Sequence, residues 1–119
     1  MHSEERIRKV FLKLMDEITT IEGLVAISRD GTVLASEAIS KSPSDTVLTK
    51  LAKMITEAND LSKEMGKGGI KEIHLVGDEG YIIIASSSTM SLVALASSDA
   101  RAQLGLIMVN LRKILDILT

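Results

Sequence analysis

The sequence predicts an α/β fold, more closely an α+β sandwich in which one five-stranded antiparallel sheet carries helices on both faces. Three observations predict it. Apolar residues recur at three-and-four spacing in three segments, at the beginning, middle and end of the chain. Five shorter segments between them are bounded by turn residues, and three of the five are apolar on both faces, as strands covered above and below should be. The 119 residues, 45% of them hydrophobic and 25% charged, suffice for one domain spanning 1–119 that buries roughly two-thirds of its unfolded surface. No linker, repeat or low-complexity tail divides it.

Taken in order, Ser3 caps a first helix whose apolar face is Ile7, Val10, Phe11, Leu14, Met15, Ile18 and Ile21, with Gly23 as its stop. Leu24 to Arg29 and Thr32 to Glu37 then form a hairpin around Asp30-Gly31, both loop positions being expected at positive φ. No second carboxylate or histidine neighbours Asp30 in sequence, so its expected role is backbone geometry. Ser42-Pro43-Ser44-Asp45 starts a second helix, with Ser42 as cap and Pro43 in the first turn. That helix runs to Gly66, and Val47, Leu48, Leu51, Met54, Ile55, Ala58, Leu61 and Met65 mark its apolar stripe. Three strands follow: Ile70 to Val76, Tyr81 to Ser86 and Leu92 to Ser97. Ser98-Asp99 opens the last helix, with Leu104, Ile107, Met108, Leu111, Ile114, Leu115 and Leu118 on its apolar face.

Face patterns order the sheet. Leu24 to Ile27, Tyr81 to Ala85 and Leu92 to Ala96 read as central strands, whereas Ile73 and Leu75 alternate with Glu72 and His74, as on an edge. The order 2-1-5-4-3 follows, in a helix-strand-strand-helix-strand-strand-strand-helix chain of profilin-like layering.

Composition excludes several functions. A net charge of −2, with one Phe and one Tyr, gives neither a basic field nor a stacking platform for nucleic acid. The absence of cysteine removes thiolate zinc sites and thiol nucleophiles. Gly80 to Ser98 approaches the length of a membrane span, but Ser86, Ser87, Ser88, Thr89 and Ser91 interrupt it, so two strands and a turn are expected there. The charged start is not a secretory signal, and a cytoplasmic location is expected.

Catalytic chemistry is equally thin. Gly66-Lys67-Gly68-Gly69 leaves a helix and enters a strand, the reverse of a phosphate loop, and reads as a helix stop. His74 and Glu72 lack a third metal ligand, and His2 stands at the N-terminus. A Ser-His-acid triad through the serine turn has no nucleophile-elbow sequence behind it. Catalytic, metal and cofactor-binding residues are expected to be none. Most methionines read as core filling, with Met54 or Met65 as candidates for an adaptable binding surface.

"IEGLVAISRDGTVLAS", "IKEIHLVGDEGYIIIAS" and "ARAQLGLIMVNLRKILDIL" occur in an order and spacing that resembles the Roadblock family. That family includes dynein light chains of the Roadblock type, subunits of lysosomal GTPase scaffolds, and regulators of small Ras-like GTPases. The resemblance, which covers nearly the whole chain, implies a non-enzymatic interaction domain that pairs with itself or a related Roadblock-type subunit. Third strands would join edge to edge and second helices side by side, giving an interface at Ile70, Glu72, His74 and Val76 together with Leu51, Met54, Ile55 and Ala58. Glu72 would then face a cation of the other chain. It further implies a small Ras-like GTPase docked on the second helices, through Lys50, Lys53, Glu57 and Asp60. Arg101 and Arg112 are set aside as arginine fingers because their helix is expected on the opposite face. Two alternatives stand beside this reading: a small-ligand sensor of profilin-like or PAS-like layering, and a motor light-chain adaptor.

Overall fold

The computed structural model describes residues 3–118, and His2 lies outside them. Its elements are α1 (Glu4–Glu17), β1 (Ile21–Ser28), β2 (Val33–Ala38), α2 (Asp45–Glu64), β3 (Glu72–Gly77), β4 (Gly80–Ser86), β5 (Met90–Ser97), a 3-10 turn (Ser98–Gln103) and α3 (Leu104–Leu118). The five strands form one antiparallel sheet in the expected order, β2-β1-β5-β4-β3.

The sheet separates two cores. On one face α1 and α3 bury Ile7, Phe11, Leu14, Ile107, Leu111 and Leu115 against Leu24, Ile83, Leu92 and Ala94. On the other, α2 packs Leu48, Ala52 and Ile55 over Val25, Ile27, Ile84 and Val93. Alternation along β1, β4 and β5 therefore feeds apolar side chains to both layers, which is why these strands carry no polar face. The Arg8 guanidinium donates to Glu37 Oε1 at 2.7 Å and ties α1 to β2.

Several boundaries differ from expectation. The first helix ends at Glu17, and Ile18 is already extended. Asp16 and Glu17 oppose the negative end of the helix dipole, and Ile18, Thr19, Thr20 and Ile21 are β-branched, so the chain turns to strand early. Gly23 is therefore no stop: it lies inside β1, where a Cβ would come within 3.2 Å of the Glu37 carbonyl oxygen. Ser44, not Ser42, caps α2, its hydroxyl accepting from Val47 N at 3.3 Å, and Pro43 stays outside the helix.

The β1–β2 loop is also one residue longer than the two-residue Asp30-Gly31 turn expected. Ser28 N donates to Thr32 O at 2.8 Å and Gly31 N to Ser28 O at 3.0 Å, which closes a three-residue loop. Only Gly31 has positive φ, at 91°. Asp30 instead accepts hydrogen bonds from the Ser28 hydroxyl and Thr32 N, and the strand register shifts at the following pairs, as in hairpins where glycine alone is left-handed. Gly66 and Gly68, at φ 75° and 79°, end α2 as the sequence predicts. Among the described residues no helix is long and apolar enough to cross a membrane.

Candidate functional site

Helix α2 has three faces set by its residue spacing. Leu48, Ala52, Ile55 and Asn59 are buried against the sheet. Lys50, Lys53, Glu57 and Asp60 are exposed on the far side. Between these faces runs a second apolar stripe of Val47, Leu51, Met54, Ala58, Leu61 and Met65. Val47, Leu61 and Met65 are 52%, 57% and 68% exposed, while Leu51, Met54 and Ala58 are half-buried. The single stripe read from sequence is thus two, and only one of them is satisfied within the domain. Ile55, expected at an intermolecular interface, is 8% exposed and covered by this chain's own sheet.

Strand β3 forms the sheet edge beside this stripe. Ser86 N donates to Lys71 O at 2.9 Å, so odd-numbered residues here turn their backbone groups toward β4. By alternation Glu72, His74 and Val76 present theirs to the open edge. The side chains of Ile73 and Leu75 share the α2 face with Ile82 and Leu95, and Ile73, Ile82 and Leu95 are half-buried together with Leu51 and Met54. On that face Leu75 remains 40% exposed, whereas Val76, 74% exposed, lies on the opposite face of the edge. The open edge and the uncovered helix stripe therefore meet in one apolar surface. Ile70 lies before the strand, half-buried, with its N–H donating to Asn59 Oδ1 at 2.9 Å.

Asn59 is a buried residue positioning this surface that sequence reading missed. It occupies a core-stripe position four residues after Ile55, and that polar break in an apolar run is the signal for it. Its amide oxygen holds the loop entering β3 and so fixes the edge strand relative to α2.

Charges around β3 are satisfied locally. Within the chain, Glu72 faces His74 Nε2 at 3.2 Å and Arg112 Nη2 of α3 at 3.8 Å. Arg112 also donates to the carbonyls of Ser86, at 3.0 Å, and Lys71. It sits on the face opposite α2, where its donors are engaged. Elsewhere, Asp30 is held below the ordinary carboxylate value, first by the Ser28 hydroxyl and then by Thr32. Asp99 is lowered chiefly by the Ser97 hydroxyl, and Arg8 is raised by Glu37. All three shifts come from local structural contacts at the surface, and Asp30 alone of them borders a hollow, the one it shares with Thr49 and Lys53 of α2.

A cavity of about 200 Å³ lies between α2 and the ends of β1 and β5, lined by residues including Ser28, Arg29, Asn59, Lys63 and Ser91. It falls short of the roughly 300–1,000 Å³ usual for small-molecule sites, and the larger hollows, about 460 Å³ beside Leu75, Tyr81 and Leu95 and about 320 Å³ beside Asp30, Thr49 and Lys53, are shallow and open to solvent. Among the described residues no group of three or more His, Asp or Glu side chains is placed to hold a metal ion. What the arrangement offers is association, through a backbone edge and an adjoining apolar helix stripe.

Comparison with known proteins places this geometry. The sequence model of the Roadblock/LC7 domain matches residues 8–96. An uncharacterized protein of Methanocaldococcus jannaschii is 26% identical over 113 residues, covering 95% of this chain and 93% of that one. The structure of gliding protein MglB from Thermus thermophilus is 22% identical, with 87% of this chain and 80% of that one covered and a TM-score of 0.72. Schizosaccharomyces pombe profilin, 14% identical with 98% of both chains covered, gives a TM-score of 0.62, in keeping with the profilin-like layering.

Proposed function

Because this chain belongs to the Roadblock/LC7 domain family, we propose that it is a non-enzymatic, dimeric interaction domain that binds a small Ras-like GTPase and regulates or scaffolds it in the cytoplasm. The observation that carries the reading is the surface where the open edge of β3 meets the exposed stripe of α2. A monomer would leave both solvated, and natural monomers blunt such edges. Pairing β3 with β3 of a second copy, or of a related subunit, satisfies the free groups of Glu72, His74 and Val76 and covers Leu51, Met54, Ala58 and Leu61.

The paired α2 helices then form one platform, with Lys50, Lys53, Glu57 and Asp60 exposed on it. A GTPase docked there is regulated by holding its switch loops in one arrangement, since this chain offers no residue to act on nucleotide. A motor light-chain role would use the same platform for a different partner. The cavity between sheet and α2 is small and the larger hollows are shallow, which favours the interaction reading over the sensor one.

The test uses the purified protein as bait in lysate of its source cells, once with GDP and once with a non-hydrolysable GTP analogue. A small Ras-like GTPase recovered in one nucleotide state supports a switch-reading regulator, and recovery in both supports a constitutive scaffold. Recovery in neither, at bait concentrations where the protein is dimeric, overturns the proposal.

A further inference from the structure

The exposed stripe of α2 has a stricter pattern than an amphipathic helix needs. Val47, Leu51, Met54, Ala58, Leu61 and Met65 alternate spacings of four and three without a break, the repeat of a helix seam that packs on another helix. The seam is also symmetric about Thr56: reversed end for end, each of its positions falls on another. Resting on the dimeric reading above, this symmetry fixes how two copies meet.

Two antiparallel β3 strands joined in one sheet are related by a two-fold axis normal to it. That rotation reverses everything lying along the sheet, so the two α2 helices run antiparallel. The seam then packs in layers: Val47 on Met65 of the second copy, Leu51 on its Leu61, and Met54 on its Ala58. The central layers set a large side chain against a small one, as close packing requires.

Flanking positions carry the specificity. Leu48, Ile55 and Ser62 follow seam residues on the sheet side, and Lys50, Glu57 and Glu64 precede them on the solvent side. The chain's own ion pairs engage Arg8, Lys9, His74 and Arg112 and leave these three unused. In the antiparallel register each Lys50 lies beside Glu64 of the other copy, while the two Glu57 side chains meet near the axis.

We propose that α2 pairs with α2 of a second copy in this single antiparallel register, held by two Lys50–Glu64 ion pairs and weakened by a Glu57–Glu57 contact that regulates the choice of partner. Like charges brought together at an interface oppose association and act against the wrong partner. A related subunit with a cation at the place of Glu57 therefore outcompetes the self-pair. The chain is poised between homodimer and heterodimer by one residue.

Lys50 and Glu64 are fourteen residues apart in one helix, roughly 21 Å along its axis, so they cannot touch within a chain, and any energetic coupling between them crosses the interface. The test measures the dimer Kd by sedimentation equilibrium for the wild type, K50E, E64K, K50E/E64K and E57Q, with circular dichroism to confirm that each variant is folded. Each single reversal converts two attractive pairs into two repulsive ones and should weaken the dimer about tenfold. The double reversal should return Kd to within about threefold of the wild type, and E57Q should tighten it about three- to tenfold. Mixed with ¹⁵N-labelled wild type, E57K should form heterodimer well above the statistical half, as read by native mass spectrometry. A dimer whose Kd ignores these changes, or a double variant weaker than either single one, overturns the register while leaving the dimer standing. A wild type that stays monomeric at high concentration overturns both.

Discussion

Leu61 offers the sharpest separation between folding and association. Its side chain is 57% exposed on a helix whose buried stripe lies elsewhere. Leu61→Ala therefore removes little from the core, and alanine is the better helix former. Monomer stability should change by under about 1 kcal/mol. In the pair the same side chain is covered by Leu51 of the second copy. Full burial of a leucine is worth about 1.5–3 kcal/mol, so covering the exposed part contributes roughly 1–1.5 kcal/mol in each copy and about 2–3 kcal/mol per dimer. At 1.4 kcal/mol per factor of ten, L61A should raise the dimer Kd roughly 30- to 150-fold. Ile55→Ala, earlier in the helix and on the buried stripe, should instead cost about 2–5 kcal/mol of folding stability. Sedimentation equilibrium and dilute thermal unfolding distinguish the two effects. An L61A dimer as tight as the wild type, or an L61A monomer as damaged as I55A, would refute the assignment of the two stripes.

Three further outcomes follow from the fold. Gly80→Ala places a Cβ 2.5 Å from the Ala96 carbonyl oxygen and must part β4 from β5, so unfolding in denaturant should show a loss of about 1–3 kcal/mol. Asn59→Leu leaves the Ile70 N–H without its acceptor; about 1–3 kcal/mol should be lost, with faster amide exchange at Ile70. Asp30 titrates below its ordinary 3.8 because Ser28 and Thr32 donate to the charged form. Its contribution is therefore present above that value and lost as pH falls through the lower folded one. Asp30→Asn should lower stability at neutral pH, leave strongly acidic pH nearly unaffected, and so flatten the acid limb of a stability-against-pH curve.

Sheet order was readable because each strand's two faces are written in its own residues. Both apolar faces of β1, β4 and β5 show in sequence, and so do the alternating polar positions of β3. Short-range signals were less decisive where two of them competed. Ser42 and Ser44 can both cap a helix, and nothing in the local spacing chooses between them; the structure uses Ser44. Gly23 resembles a helix stop, yet acidic residues and a β-branched run had already ended α1. At Asp30, side-chain acceptance from Ser28 and Thr32 replaces the expected left-handed backbone.

For the candidate surface, sequence marked α2 and β3 but merged two helix stripes into one. Their separation depends on which side the sheet lies, a long-range fact that spacing within one helix cannot carry. Ile55 and Leu61 look alike along the chain and differ only in what covers them. Glu72 likewise does not reveal its partner on α3, because Arg112 arrives forty residues later in the chain.

The pairing of β3 edges can be read most directly from amide exchange at Glu72, His74 and Val76, whose N–H groups face no strand within the chain. If a second copy covers them, all three should exchange slowly at concentrations where the mass is twice 12.8 kDa and quickly once dilution yields monomer. Rapid exchange at all three while the protein remains dimeric would contradict edge-to-edge pairing and the platform built on it.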